Sequence, residues 1–109
     1  MKLNVYQGKE VVKTYETDKY DLMFGTLEDV ADAVKLDELK SGDDIEIITL
    51  VAGLVVGGKE TVKKLMKDIF DGLTDEELRN TKVAEMAQVL VDVVKYTVEQ
   101  LSTGFGLKN

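Results

Sequence analysis

The 109-residue sequence has no cysteine, histidine, proline or tryptophan. Each absence removes a class of chemistry. A catalytic triad needs an imidazole base, a papain-like site needs a thiol, and a structural zinc site needs Cys or His ligands. Without cysteine there is no disulfide framework, and cysteine usage says nothing of the redox compartment. The longest near-apolar run, Ile47 to Gly58, is too short to span a bilayer. Met1-Lys2-Leu3-Asn4 leads into no signal-peptide core. A cytosolic protein is the expectation. Carboxylates, lysines, tyrosines and hydroxyls are what remain for chemistry.

A chain of this length forms one domain that buries about 65% of its unfolded surface, enough for a core without staples. Hydrophobic residues at 44% place it among globular rather than disordered chains. The net charge of −7 argues against a nucleic-acid partner, since Lys and Arg drive counterion release from phosphates. That charge is uneven. Residues 21–56 carry nine acidic side chains, Asp21, Glu28, Asp29, Asp32, Asp37, Glu38, Asp43, Asp44 and Glu46. Lys59, Lys63 and Lys67 then recur every fourth residue. An exposed charge stripe is ordinarily a solvated face, and an intramolecular match between neighbouring helices is the expectation.

The pattern predicts an α+β, mainly helical fold: an N-terminal β-hairpin, then about four helices, the last long and central. Leu3–Tyr6 and Glu10–Tyr15 are β-prone runs about Gln7-Gly8-Lys9. A lone hairpin is marginal in water and must dock on helices or extend another sheet. Gly25 breaks the following connector. Thr26, with Asp29 three residues on, has capping-box spacing, and Leu27, Val30, Ala31 and Val34 mark an amphipathic helix ending near Leu36 or Leu39. Ile45–Val56 is rich in β-branched residues, but its length and a cap at Asp43 or Asp44 favour a buried helix. Val62, Leu65, Met66 and Ile69 share a face of the next helix, with Asp71-Gly72 as its C′ closure and Thr74 and Glu77 as a capping box beyond it. The domain is expected to span 1–101, with the hairpin at 1–17, the helical part at 26–101, and 102–109 as a flexible tail.

The last helix, about Lys82 to Leu101, carries its main polar stripe at Glu85, Gln88, Asp92, Lys95 and Glu99. Its apolar residues cover about 240° of the circumference, more than a surface helix needs. Either the helix is central, or it offers a flank to a partner. Met86, Val89, Val93 and Tyr96 are the candidate partner-binding residues. Charged substitutions at Val89 and Val93 would then block binding.

Tests for chemistry find no site. Asp68 to Gly72 misses the EF-hand spacing, and Asp75-Glu76-Glu77 suits a helix start. Gly53, Gly58 and Lys59 match part of a P-loop, but position 60 is Glu rather than Ser or Thr and no strand precedes. Gly53 and Gly57 have GxxxG spacing, which outside a membrane marks close packing or a helix end. No catalytic, metal or cofactor site is expected, and the protein reads as a non-enzyme.

Tyr20-Asp21-Leu22-Met23-Phe24-Gly25-Thr26-Leu27-Glu28-Asp29 resembles a stretch of the tail assembly chaperones of long-tailed phages and prophages of Gram-positive bacteria. So does Ile69-Phe70-Asp71-Gly72-Leu73-Thr74-Asp75-Glu76-Glu77-Leu78, continuing to the helix that ends Val94-Lys95-Tyr96-Thr97-Val98-Glu99-Gln100-Leu101. The order of elements is similar too. The resemblance implies a chaperone that binds the tape measure protein, a long, helical, aggregation-prone chain, and keeps it soluble until the tail tube assembles around it. It implies the tail tube protein as a second partner, the host cytoplasm as the location, and absence from the mature virion. Members often have a longer form made by ribosomal frameshifting, and Leu107-Lys108-Asn109 is compatible with a slippery heptamer. Self-association is left open. The rival readings are an acidic inhibitor or DNA mimic using residues 21–56, and a minor head–tail structural protein.

Overall fold

Gly8 and Lys9 form a two-residue hairpin loop, with Gly8 at φ +65° and Lys9 at negative φ. A positive φ at the first central position alone is the type II′ pattern, whose twist suits the flanking strands. Strands β1 (Lys2–Gln7) and β2 (Glu10–Glu16) pair antiparallel. Val12 is an extra residue between the Val5–Lys13 and Tyr6–Val11 pairs, a bulge that bends β2. Leu3 and Val5 point into the core, whereas β2 is exposed except at half-buried Tyr15.

The computed structural model describes residues 1–104. Five helices follow the hairpin: α1 (Phe24–Ala33), α2 (Asp44–Gly57), α3 (Lys59–Ile69), the short α4 (Asp75–Arg79) and α5 (Val83–Gly104). Single 3₁₀ turns lie at Lys19–Asp21 and Leu36–Glu38. The expected α+β fold with a hairpin and a long C-terminal helix is present. Helix α5 packs against α1, α2 and β1, which uses its wide apolar arc. Leu3, Val30, Ile47, Leu65, Met66, Phe70, Leu90 and Val93 bring β1, α1, α2, α3 and α5 into one core.

The hairpin docks as a lone hairpin must. The outer edge of β1 is closed by the Tyr6 amide donating to the Asn80 carbonyl at 2.8 Å and the Asn4 amide donating to Glu85 Oε1 at 3.3 Å. The Tyr6 hydroxyl donates to Glu85 Oε2. From β2, the Tyr15 hydroxyl donates to Glu77 Oε1 at 2.6 Å, and its ring lies 6.2 Å from that of Phe70.

Several boundaries differ from the sequence reading. Helix α1 starts at Phe24, with Met23 at the N-cap position and its carbonyl accepting from the Thr26 and Leu27 amides. Thr26 is buried in the first turn and caps nothing. Helix α1 ends at Ala33, because Lys35 turns left-handed (φ 53°) into the Leu36–Glu38 turn. Phe70 is the C-cap of α3, so Gly72 is not its closure; at φ +88° it serves the turn in which the Leu73 amide reaches the Phe70 carbonyl at 3.1 Å. Helix α5 runs to Gly104, three residues past the expected end at Leu101. The remainder of the expected tail, with Leu107-Lys108-Asn109, lies outside the described residues.

Two glutamates lock loops to helix starts. Glu77 completes the capping box with Thr74 while accepting from Tyr15 and Lys13. Glu46 accepts from the amides of Lys40, Ser41 and Gly42 at 3.0, 3.0 and 2.7 Å. These backbone donors bring the Glu46 carboxyl from 4.5 down to about 2. The Tyr15 hydroxyl, then the Thr74 amide, do the same for Glu77, also to about 2. Depressed folded-state values mean the stabilisation these two carboxylates contribute is present in full above about pH 4.5 and is lost as pH falls toward about 2. The thermal midpoint should therefore drop across that window. Glu46→Gln should flatten the drop, and a profile parallel to that of the parent would contradict the assignment.

Candidate functional site

Helix α2 is apolar round most of its circumference, with Ile45, Ile47, Ile48, Leu50, Val51, Ala52, Leu54, Val55 and Val56 within its 14 residues and only the sector of Glu46, Thr49, Gly53 and Gly57 not so. A helix of that composition is normally enclosed. Here only one side is. Ile47 and Val51 are buried, and Leu50, Leu54 and Val55 pack against the core around them. At 100° per residue, Ile45, Ile48, Ala52 and Val56 fall within about 80° of one another on the opposite side. Ile45 is 77% exposed, Ile48 55% and Val56 87%, and Ala52 is exposed between them. The expected buried helix at Ile45–Val56 is thus a helix, but half of it faces out.

Local structure holds this stripe in place. The Asp43 carboxylate accepts from the Glu46 amide at 2.9 Å, capping α2, and Glu46 fastens the preceding loop. At the other end the Gly58 amide donates to the Leu54 carbonyl at 2.7 Å. Helix α3 starts immediately, its Val62 amide reaching the Gly58 carbonyl at 2.8 Å. The partial P-loop string therefore lies inside a helix and a helix junction, where the Gly58 amide is already bonded to the Leu54 carbonyl. A Cβ at Gly53 would meet nothing within 4 Å. Close packing inside this chain does not explain that glycine, though a helix-interior glycine costs about 1 kcal/mol relative to alanine. Gly53→Ala should raise unfolding stability by about 0.5–1 kcal/mol, read by urea denaturation of the dilute protein. A loss of stability would show a contact at Gly53 that the fold does not contain.

The residues singled out on α5 have a different fate. Val93 is fully buried and Val89 is 2% exposed, both inside the core formed with the neighbouring elements. A partner does not reach them without opening the domain. Met86 is half-buried against the core. Tyr96 is half-buried, its ring 5.8 Å from that of Tyr20 in an edge-on arrangement, with the Lys19 ammonium over both rings. Tyr96 lies in a groove of about 760 Å³ between α5 and the segment after β2, lined by charges of both signs. The four residues do not make one surface. Met23 and Phe24 are also exposed at the start of α1, as is Tyr20 in the 3₁₀ turn before it.

The charges also resolve. Lys67 pairs with Asp75 at 2.8 Å and Lys63 with Glu60 at 3.6 Å, so the lysine stripe does not meet the acidic block. Lys64, off that stripe, bridges Asp29 and Asp68, both at 2.8 Å. Within the acidic block, Asp43 and Glu46 are committed to capping and loop closure, and Asp44 pairs with Lys95 at 2.9 Å. Among the described residues no metal-binding cluster of three carboxylates occurs. No helix there is long and apolar enough to cross a membrane.

The sequence signal for the α2 surface was the run itself: a helix of nearly uniform apolarity has more surface than one packing side consumes. Comparison with protein-family models, with curated proteins and with solved structures finds no match to this chain.

Proposed function

We propose that this protein is a non-enzymatic tail assembly chaperone that binds the tape measure protein through the outward face of α2. The observation that carries the reading is the exposed stripe Ile45, Ile48, Ala52 and Val56 on a helix whose other side is fully used. Contiguous exposed apolar surface marks an interaction site, and an apolar groove or stripe receives an amphipathic helix at i, i+3, i+4 and i+7 positions. A tape measure protein offers such helices along its length. The net charge of −7 supports the role, because an acidic surface keeps a complex with an apolar client soluble. The sequence resemblance names the client; the stripe supplies the mode of contact. Work in the host cytoplasm, delivery of tail tube subunits and absence from the virion follow from the same proposal.

Full burial of an Ile or Val side chain contributes about 1.5–3 kcal/mol. Three large side chains give a modest grip per site, so several chaperones along one long client are expected. Co-expression tests this. A tape measure protein from the same genome should move from the pellet to the soluble fraction when the chain is present, and should co-purify with it. A client that remains insoluble in equimolar amounts of folded chaperone contradicts the proposal.

A further inference from the structure

We propose that Gly58 is a hinge at which α2 and α3 straighten into one continuous helix, and that in this form two copies of the chain exchange halves. The part before Gly58 in each copy then packs against the part after Gly58 in the other. The inference does not rest on the proposed function.

Three observations carry it. The helical bonding runs almost through the junction. The Gly58 amide donates to the Leu54 carbonyl at 2.7 Å, and the Gly58 carbonyl accepts from the Val62 amide at 2.8 Å. Both are the bonds of an uninterrupted helix. Only the amides of Lys59, Glu60 and Thr61 lack, among the described residues, the bonds to Val55, Val56 and Gly57 that would complete it. The bend itself depends on glycine. A Cβ at Gly58 would lie 2.9 Å from the Leu54 carbonyl oxygen and 2.8 Å from Leu54 Cδ1, which the bent form cannot absorb without shifting backbone. In a continuous helix the same Cβ would stand clear, as at any helical position.

The core, finally, is built across the hinge. Strand β1 and helices α1 and α2 precede Gly58, and α3 and α5 follow it. The packed pairs α2 with α5, α1 with α5, α1 with α3, α2 with α3 and β1 with α5 all join one half to the other. Exchange re-forms each of them between copies, so the apolar burial is kept and no new surface has to be covered. What separates the two forms is therefore small. The dimer gains three helix bonds at each hinge, and the monomer keeps the freedom that association costs. The parent should be monomeric when dilute and should exchange slowly when concentrated, because the halves must part first. Such a dimer carries two α2 stripes in one body and would grip a long client at two places; that consequence, unlike the exchange, rests on the proposed function.

The test uses the full chain, refolded from urea at millimolar concentration. Gly58→Ala should shift the equilibrium toward dimer by about 30-fold, from the helix preference of alanine at two hinges. Its mass in sedimentation equilibrium should move from 12.1 kDa toward twice that value. Gly53→Ala lies within a helix in both forms and should leave the ratio unchanged. A carbodiimide, which joins a touching amine and carboxylate without a spacer, reads the exchange. Lys95 and Asp44 at 2.9 Å, and Lys64 and Asp29 at 2.8 Å, each pair one half with the other. In Gly58→Ala refolded from equal amounts of heavy-isotope-labelled and unlabelled chains, these cross-links should join heavy peptides to light ones. A Gly58→Ala chain that folds as a monomer overturns the inference. So does a dimer whose cross-links stay within one isotope, and so does a chain that fails to fold, since the exchanged form accommodates the alanine. None of these results bears on client binding by α2.

Discussion

Val93→Asp should unfold the protein. Val93 is fully buried on α5, in the core shared with β1, α1, α2 and α3. An aspartate there loses the apolar burial of the valine, about 1.5–3 kcal/mol. It also leaves a carboxylate without a partner, which costs about 3–5 kcal/mol more by analogy with a broken buried ion pair. Domains of this size have a total stability of about 5–15 kcal/mol, so the variant loses most or all of it. Val93→Ala removes the same contacts without the charge and should cost only about 1–3 kcal/mol, leaving a folded protein. Circular dichroism with urea titration separates the two. A Val93→Asp chain with native stability would mean that this flank of α5 faces solvent. It would restore the sequence expectation that Met86, Val89, Val93 and Tyr96 form a partner surface. As the fold stands, loss of client binding by such variants reports unfolding, not contact.

Ile48→Glu should do the opposite. Ile48 is 55% exposed on the outer side of α2 and Glu is a good helix former, so stability should stay within about 0.5 kcal/mol of the parent. Client binding should fall on the order of 100-fold, because the stripe loses an apolar anchor and gains a charge that the complex must desolvate. The hairpin provides the control. Val12 is 54% exposed at the β2 bulge, and Val12→Glu should leave binding unchanged. Unaltered client solubilisation by a folded Ile48→Glu variant places the client elsewhere, with Tyr20, Met23 and Phe24 as the next surface to test.

The contrast between these two variants shows what the sequence could and could not tell. Short-range chemistry was legible. The Gly8 turn, the Asp43 cap of α2 and the Thr74–Glu77 box each depend on residues within a few positions of one another. The long α5, with its wide arc, was readable as central because one polar stripe interrupts it on one side only. Two things were not legible. Polar spacing placed the start of α1 at Thr26, but the chain enters the helix at Phe24, and the threonine is drawn inward by packing that no local pattern encodes. More consequential was α2. Periodicity reveals which face of a helix is buried only when the faces differ, and both the inner and the outer face of α2 are apolar. Its orientation is set by the partners that Ile47 and Val51 find across the core, through contacts far apart in sequence. The wide apolar arc of α5 left two readings open, a central helix or a flank for a partner; α5 packs against β1, α1 and α2, and the exposed apolar stripe lies on α2.

The central claim is that the outward face of α2 receives the client, and a single reporter addresses it. With no native cysteine, Val56→Cys supplies one thiol on the stripe, at a position where the native side chain is 87% exposed, for a polarity-sensitive fluorophore. The labelled chain is titrated with tape measure protein while co-sedimentation records binding. A blue-shifted, intensified emission that saturates with the bound fraction, and that is absent from the same label at Val12→Cys, is the expected result. Unchanged emission from Val56→Cys while the client co-sediments with the chaperone would contradict the account.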